Sequence, residues 1–269
     1  MPELPEVEVS RLGISPHLVG RTLLGVTARQ RQLRWLVPDE VLAIANQPIL
    51  AVTRRAKYLL IELQNGSIIV HLGMSGHLKV VASDVSPGKH DHIDWCFDNG
   101  TVLRLNDTRR FGAVLWQAKG SIHPLLSALG PEPLQAEFTA EHFFQQCQKR
   151  QAPIKTVLMD NHVVVGVGNI YANEALFKAG IAPTRAANTL TLAQCTVLRE
   201  VVRQILAQAI TQGGTTLKDF SQVDGKPGYF KQELQVYGRG GKPCPVCSTN
   251  LTEIRLGQRS TVYCHHCQQ

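Results

Sequence analysis

The amino end of the chain places a proline beside two carboxylates, in the sequence Met-Pro-Glu-Leu-Pro-Glu. Removal of Met1 would leave Pro2 with a free secondary amine, whose pKa of roughly 7.7–8.0 keeps part of it unprotonated near neutral pH. Attack of that amine on an aldehyde-level carbon gives a cationic iminium, an electron sink. Glu3 and Glu6 could move the protons. These residues suit cleavage of a glycosidic bond and then of an adjacent C–O bond, although they also suit a solvated terminus.

Four cysteines near the other end of the chain have metal-ligand spacing. They form two Cys-x-x-Cys pairs that are separated by sixteen residues: Cys244, Cys247, Cys264 and Cys267. Zn²⁺ prefers four soft ligands in a tetrahedron, and two such turns on a short hairpin supply them. We therefore predict one structural Zn²⁺. His265 and His266 are weaker alternative ligands, and a disulfide pair is disfavoured because the sequence has no secretory signal.

Further motifs lie in order between these two ends. They are Pro-Glu-Leu-Pro-Glu-Val-Glu at 2–8, Arg-Arg-Ala-Lys-Tyr-Leu at 54–59, His-Leu-Gly-Met-Ser-Gly at 71–76, Asp-Thr-Arg-Arg-Phe-Gly at 107–112 and Gly-Val-Gly-Asn-Ile-Tyr at 166–171. With these motifs and the cysteine pairs, the chain resembles the bacterial formamidopyrimidine-DNA glycosylase family from residue 2 to residue 268. It departs from the family pattern at Thr108, where proline is common, and at Ser248, where glycine is usual.

The resemblance implies a bifunctional DNA glycosylase and AP lyase that excises oxidised purines, such as 8-oxoguanine and formamidopyrimidines, from duplex DNA. Pro2 would attack C1′ of the flipped nucleotide, Glu3 would transfer protons, and β,δ-elimination would release both phosphates. Lys57 is implied as a catalytic or phosphate-contacting lysine, and Arg259 as a phosphate contact that takes part in the second elimination. Two alternatives are an endonuclease VIII-type enzyme for oxidised pyrimidines and a non-enzymatic zinc-ribbon DNA-binding protein.

The resemblance also implies two kinds of DNA contact. An enzyme that acts on a base must extrude it from the duplex and fill the gap, and an apolar wedge with an arginine can do this. Met74, Arg109 and Phe111 are implied to enter the duplex together, although core packing would otherwise be the simpler interpretation of Met74 and Phe111. The remaining implied DNA contacts are His71, His90, Arg150, Lys155 and Asn169.

The segment around Asn169 has a phosphate-binding pattern of its own. An apolar run from Val163 to Val167 is followed by Gly168 and a helix start, where backbone N–H groups can bind phosphate. It is not a dinucleotide fingerprint, because Tyr171 stands at the third glycine position. The resemblance makes this segment a helix–two-turn–helix element, and we predict no nucleotide cofactor.

The composition favours a polyanionic partner. The 28 Lys and Arg outnumber the 21 Asp and Glu, which gives a net charge of +7 and a pI near 9.1. The apolar runs are too short for a transmembrane helix, and the acidic amino end is unlike a signal peptide. We therefore predict a cytoplasmic bacterial protein that acts as a monomer on damaged double-stranded DNA.

The first half of the sequence has the period of antiparallel strands. Residues 58–82 and 93–105 alternate in apolar character around Asn65-Gly66 and Asn99-Gly100, and Asn-Gly favours tight hairpins. The polar residues 83–92 predict a loop between them. This half is therefore expected to form a two-layer antiparallel β-sandwich.

The second half has helix signals, beginning after the Pro-rich linker at 130–133. Three helices are expected: one capped by Thr139 that runs through Lys149, one from Asn169 to Gly180, and one from Thr191 to Gly213. In the last, apolar residues between Val197 and Ile210 predict one buried stripe. A mobile loop over 215–237 and the zinc hairpin follow. The fold class is α+β, with a catalytic β-sandwich domain, a helical DNA-binding domain and a zinc-finger hairpin at 1–130, 131–234 and 235–269.

Overall fold

The computed structural model describes residues 2–214 and 234–269. The chain divides into two compact units: unit 1 holds residues 1–127 and 212–229, and unit 2 holds residues 128–211 and 230–269. The division into three domains at 1–130, 131–234 and 235–269 stays a prediction. The predicted loop over 215–237 lies outside the described residues except for its last four positions.

The described residues of unit 1 form three helices and nine strands. They are α1 (Leu4–Leu18), β1 (Thr22–Ala28), α2 (Asp39–Leu42), β2 (Gln47–Pro48), β3 (Ala51–Arg55), β4 (Tyr58–Leu63), β5 (Gly66–His71), β6 (His77–Ala82), β7 (Asp91–Phe97), β8 (Thr101–Asn106), β9 (Ala113–Ala118) and α3 (Pro124–Ser127).

The strands of unit 1 form two antiparallel sheets, in the orders β2-β1-β7-β8-β6 and β3-β4-β5-β9. Both predicted hairpins are present, but the first turn lies one residue earlier than expected. Leu63 pairs with Gly66, so Gln64 and Asn65 form the turn. The second turn ends at Gly100, whose φ of 74° requires the conformation that glycine adopts readily. The predicted loop is shorter than 83–92, because β7 begins at Asp91.

The core of unit 1 lies between the two sheets and includes one face of α1. Apolar side chains from both sheets, such as Leu59, Val70, Trp95 and Leu103, pack in a single cluster with Ile14 of α1. The predicted two-layer sandwich is therefore confirmed. Helix α1 was not predicted, because its apolar residues do not form a strong periodic stripe.

Within its described residues, unit 2 has four α-helices, one 3₁₀ turn and one hairpin. They are α4 (Ala140–Gln148), α5 (Ile154–Leu158), α6 (Asn169–Lys178), the 3₁₀ turn (Ala187–Thr189), α7 (Leu192–Thr211), β10 (Thr252–Leu256) and β11 (Arg259–Tyr263). Thr139 caps α4, since its side chain accepts from the backbone N–H of His142. The predicted starts and ends of α4, α6 and α7 are confirmed.

Helix α7 buries the predicted stripe from Leu198 to Ala209, but Val197, which was predicted to belong to it, is 51% exposed. Among the described helices, none is long and apolar enough to cross a membrane.

A buried glutamate fixes the chain where it enters the zinc hairpin. The Glu174 carboxylate accepts from the backbone N–H groups of Gln235, Val236 and Tyr237 at 2.8, 3.0 and 2.8 Å. Burial raises the pKa of Glu174 even though these bonds favour its ionised form. One side chain of α6 therefore holds the segment that leads into the hairpin through three hydrogen bonds.

Candidate functional site

The amino end of unit 1 is held in a fixed, buried position. Pro2 and Glu3 are buried, and the backbone N–H of Glu3 donates to Glu6 Oε2 at 2.9 Å. Helix α1 begins at the next residue, Leu4. A Cβ on Gly214 would lie 3.2 Å from Glu6 Oε1, so this part of the chain packs closely against the same glutamate. The Pro2 nitrogen is thus carried by a rigid helix start rather than by a solvated terminus.

Lys57 occupies the tight turn between β3 and β4. Arg55 pairs with Tyr58, which leaves Ala56 and Lys57 as the two turn residues. Ala56 is buried and has a φ of 53°, a conformation that is unusual for alanine. The Lys57 side chain is largely buried, at 9% exposure. The turn is therefore strained as well as fixed in position.

An ion-pair chain from α1 stabilises this turn. Arg54 donates to the Ala56 carbonyl at 2.9 Å and to Glu8 Oε2 at 2.8 Å, and Glu8 also pairs with Arg11 at 2.7 Å. Burial opposes ionisation of Glu8, but the hydrogen bonds and charges of the two arginines outweigh it and hold its pKa below its ordinary value. The helix that carries Pro2 and Glu3 is thus linked to the turn that carries Lys57.

His71, at the end of β5, is held as a neutral side chain. Its ring centroid lies 4.9 Å from that of Tyr58, and Nδ1 accepts from the backbone N–H of Gly73 at 3.1 Å. Burial first, and then the charges of Lys57 and Arg34, lower the pKa of His71 from 6.5 to about 4. With Nδ1 as acceptor, the neutral ring carries its proton on Nε2 and can donate it to a phosphate oxygen.

Arg34 is a residue of this region that the sequence analysis missed. Its backbone N–H donates to the Gly112 carbonyl at 3.0 Å, and its guanidinium lies 4.6 Å from the centroid of the Trp35 ring. Trp35 is 38% exposed. The Arg-Trp pair in an irregular segment was a usable signal, because exposed aromatic residues beside arginine are typical of nucleic-acid contacts.

The wedge candidates of unit 1 lie on two neighbouring loops. Met74 is half-buried in the turn after β5, while Arg109 and Phe111 are exposed in the segment between β8 and β9. Phe111 is 49% exposed, with the Arg109 guanidinium 5.8 Å from its ring centroid. Core packing is therefore not the role of Phe111. His90 lies next to this segment, because its carbonyl accepts from the backbone N–H of Asp107 at 3.0 Å.

In unit 2, Lys155 is buried and connects three parts of the chain. Its ammonium donates to Asn169 Oδ1 at 2.7 Å, to the Ser260 carbonyl at 3.0 Å and to Thr261 Oγ1 at 2.7 Å. These three acceptors match the three hydrogens of an ammonium group. Asn169 also donates to the Ser260 carbonyl, at 3.0 Å. The start of α6 is therefore joined to β11.

Arg150 and Arg259 line one groove of unit 2. The groove has a volume of about 480 Å³ and lies between α5 and the turn of the zinc hairpin. Arg150 donates to the carbonyl of Gln146 at 2.8 Å and pairs with Asp160 at 3.9 Å, while Arg259 is exposed at the start of β11. Two guanidinium groups in an open groove can bind an anion such as a phosphate.

The four cysteines of the hairpin fit a zinc ion. Their Sγ atoms all lie within 4.8 Å of one another, and the Cys244–Cys267 and Cys247–Cys264 separations are 3.9 and 3.4 Å. A tetrahedral site with Zn–S bonds of about 2.3 Å requires S···S separations near 3.8 Å. The residues thus hold one structural Zn²⁺ with four protein ligands. His265 instead contacts Thr252.

Three family models match the chain in order. The formamidopyrimidine-DNA glycosylase N-terminal domain matches residues 1–114, the formamidopyrimidine-DNA glycosylase H2TH domain matches residues 129–221, and the zinc finger found in FPG and IleRS matches residues 241–269. The three matches cover both units and the zinc hairpin.

Curated relatives and solved structures are similar over their whole length. Formamidopyrimidine-DNA glycosylases of Idiomarina loihiensis and Photobacterium damsela are 59% and 56% identical, with full coverage of both chains. The crystal structure of the MutM (Fpg) protein from Thermus thermophilus is 37% identical, with a TM-score of 0.90 over 99% of this chain and 98% of that one. A complex between Lactococcus lactis Fpg and abasic-site DNA is 30% identical, with a TM-score of 0.91 over 99% of each chain. It follows that the chain is a DNA glycosylase of base excision repair that belongs to the formamidopyrimidine-DNA glycosylase family.

Proposed function

We propose that this enzyme excises oxidised purines from duplex DNA and then cleaves the strand, with Pro2 as the nucleophile. The observation that carries the proposal is the buried, hydrogen-bonded amino end, where Pro2 and Glu3 directly precede helix α1. An N-terminal amine held in this way has little conformational freedom to lose when it attacks C1′. DNA binding by related proteins with this fold is consistent with the proposal.

In the first step, the lone pair of the Pro2 nitrogen forms a bond to C1′. The glycosidic bond breaks, its electron pair leaves with the base, and the base takes up a proton. Glu3 transfers the protons: the Pro2 nitrogen loses its N–H proton after the attack, and O4′ takes up a proton as the C1′–O4′ bond breaks and the sugar ring opens. The nitrogen lone pair then forms the C1′=N⁺ iminium.

The iminium makes the C2′ proton acidic because it accepts the electron pair that the proton leaves behind. Loss of this proton breaks the C3′–O bond, and a second proton loss at C4′ breaks the C5′–O bond. Each phosphate leaves with the electron pair of its C–O bond. We assign two residues to the transfer of protons to the leaving groups, namely Lys57 in unit 1 and Arg259 in unit 2. Water then releases Pro2.

The other site residues are assigned to binding. His71, His90, Arg150 and Asn169 contact the DNA backbone, whereas Met74, Arg109 and Phe111 fill the gap left by the extruded nucleotide. Direct phosphate contact by Lys155 would require one of its three protein hydrogen bonds to break. Its main contribution is therefore to hold Asn169 and the strand that carries Arg259.

Borohydride trapping on abasic DNA tests the nucleophile. The unchanged enzyme should become covalently attached, Pro2→Gly should bind DNA but lose most trapping, and Glu3→Gln should bind but fail to excise the base. Absence of a trapped adduct, or retained Met1 in fully active protein by mass spectrometry, would contradict the mechanism. A higher single-turnover rate on an oxidised pyrimidine than on 8-oxoguanine would favour the endonuclease VIII-type alternative.

We further propose that the enzyme acts as a monomer, without a nucleotide cofactor, in the bacterial cytoplasm. Size-exclusion chromatography with light scattering of the zinc-loaded protein, alone and with a short duplex, should give one chain per particle.

A further inference from the structure

A buried carboxylate lies between the two loops that carry the wedge candidates. Asp107 is fully buried. Its Oδ1 accepts from the Ser75 hydroxyl at 2.7 Å, in the turn of Met74. Its Oδ2 accepts from the backbone N–H of Gly112 at 2.8 Å, in the segment of Phe111. Each carboxylate oxygen is therefore bonded to a different wedge loop.

Ser75 adds a second bond between the same loops. Its hydroxyl accepts from the backbone N–H of Arg109 at 3.2 Å, and the side chain is only 4% exposed. The direction of both bonds is fixed, because a carboxylate only accepts and a backbone N–H only donates. One hydroxyl thus joins the Met74 turn to Asp107 and to Arg109 at once.

The two backbones also touch where they pass each other. Gly73 has a φ of 63°, and a Cβ at this position would lie 2.4 Å from the Phe111 carbonyl carbon and from the Gly112 nitrogen. A Cβ on Gly112 would lie 2.9 Å from Asp107 Oδ2. Since no side-chain atom fits between them, the loops are packed backbone to backbone and have little room to move separately.

The Asp107 backbone fastens this assembly to the sheet and to a strained residue. Its carbonyl lies 2.8 Å from His92 Nε2 on β7 and accepts from the backbone N–H of Arg110 at 3.3 Å. Arg110 has a φ of 56°, which is unfavourable for a residue with a Cβ. Arg110 lies directly between Arg109 and Phe111 in the chain, and the surrounding hydrogen bonds maintain its conformation.

We propose that Asp107 and Ser75 are positioning residues that hold Met74, Arg109 and Phe111 as one preformed wedge. The inference rests on the proposed role of these three side chains in the duplex. Because the loops are ordered before DNA arrives, their conformational freedom is lost on folding and not during extrusion of the base. Neither Asp107 nor Ser75 contacts DNA in this proposal.

Single-turnover rates of Ser75→Ala on two substrates test the proposal. Excision of 8-oxoguanine from a paired duplex should slow about tenfold, the effect of roughly two lost hydrogen bonds. Cleavage at a ready-made abasic site should change far less, because less unstacking is required. Ser121→Ala is the control, since Ser121 is exposed in the same unit and donates only to a local carbonyl. Equal slowing of both substrates by Ser75→Ala would overturn the proposal.

Substitution of the carboxylate gives a second test that does not depend on Ser75. Asp107→Asn keeps an acceptor for Gly112 and can donate to the Ser75 hydroxyl, so it should retain most of the excision rate, whereas Asp107→Ala should lose it. If Asp107→Ala fails to fold, the excision rates of Asp107→Asn and Ser75→Ala still test the proposal. Asp107→Asn with an excision rate as low as that of Ser75→Ala would contradict a role based on these hydrogen bonds.

A double substitution separates this inference from the wedge assignment itself. If Ser75 acts through the Phe111 loop, Ser75→Ala should add little to Phe111→Ala on the paired lesion. Fully additive effects would overturn the positioning role alone. Equal slowing of both substrates by Phe111→Ala would overturn the wedge assignment, and the positioning role with it.

Discussion

Unit 1 and unit 2 organise their candidate DNA contacts around buried charges of opposite sign. In unit 1 the Asp107 carboxylate accepts from a hydroxyl and a backbone N–H, whereas in unit 2 the Lys155 ammonium donates to an amide, a carbonyl and a hydroxyl. Both groups have neutral partners at these bonds, and both join segments that are distant in the chain. The comparison indicates that a buried charge of either sign can fix a functional loop through hydrogen bonds to neutral partners.

The two units differ in what stabilises the segments that these buried charges connect. The loops of unit 1 lie on a sandwich with its own apolar core. The hairpin of unit 2 has a small cluster in which two of the zinc cysteines are themselves core residues. A metal ion is therefore expected to matter for one unit only, and the following predictions test that contrast.

Removal of the metal should have the largest effect. Zn²⁺ binding contributes about 10–16 kcal/mol in small zinc domains, so chelation or Cys247→Ser should unfold the hairpin and abolish DNA binding. Unit 1 should keep its fold because none of its core residues is a ligand. Circular dichroism with a fluorescence-anisotropy binding assay measures both effects. Zinc content far below one per chain in active protein would contradict the four-cysteine site.

Replacement of Lys155 should be the next largest effect. Lys155→Met keeps the length of the side chain but removes the ammonium donor from Asn169 Oδ1 and from the buried Thr261 hydroxyl, while the Ser260 carbonyl keeps the Asn169 amide as its donor. The free energy of unfolding should therefore fall by about 2–4 kcal/mol. DNA affinity should fall for damaged and undamaged duplexes alike. Thermal denaturation of the zinc-loaded protein measures the loss of stability. Lys178→Met is the control because Lys178 is exposed. An equal effect of the two substitutions would contradict the role of Lys155 in joining α6 to β11.

His71 should make the stability of unit 1 depend on pH. Its pKa falls from 6.5 to about 4 in the folded protein, so between these values the unfolded chain binds a proton that the folded protein does not. The contribution of His71 to the free energy of unfolding therefore rises as the pH increases from about 4 to 6.5, and it is constant above pH 6.5. His71→Gln should lose less stability on acidification through that range, as measured by urea denaturation at several pH values. Parallel pH profiles for the two proteins would contradict the neutral state of His71.

Ser248 should give the smallest effect, and with the opposite sign. It has a φ of 64° at the zinc turn and donates its backbone N–H to the Cys244 carbonyl at 3.0 Å. Glycine adopts this conformation without the Cβ penalty, so Ser248→Gly should stabilise the hairpin by up to about 1 kcal/mol. Competition with a chelator measures this as tighter Zn²⁺ binding. Thr249→Gly, one residue later, is expected to give no such gain.

Features that depend on neighbouring residues were predictable from the sequence. The Cys-x-x-Cys turns, the cap at Thr139 and the glycine at position 100 each follow from a few consecutive residues. Helix α1 was missed because its apolar residues do not form a strong periodic stripe, and the Glu3 and Glu6 pair that forms its capping box was interpreted only as a source of proton transfer.

The sequence by itself determined the β-sandwich, the helix ends and the zinc ligands, because strand period, capping and ligand spacing are local properties. Only the tertiary structure decided that β6 joins the sheet opposite its neighbour β5, that Arg34 lies near His71, and that Lys155 is buried. The Ser75–Asp107 bond joins residues 32 positions apart, and the Lys155–Thr261 bond joins residues 106 apart. Such pairs have no local signature, since their geometry exists only once the strands and helices between them have packed.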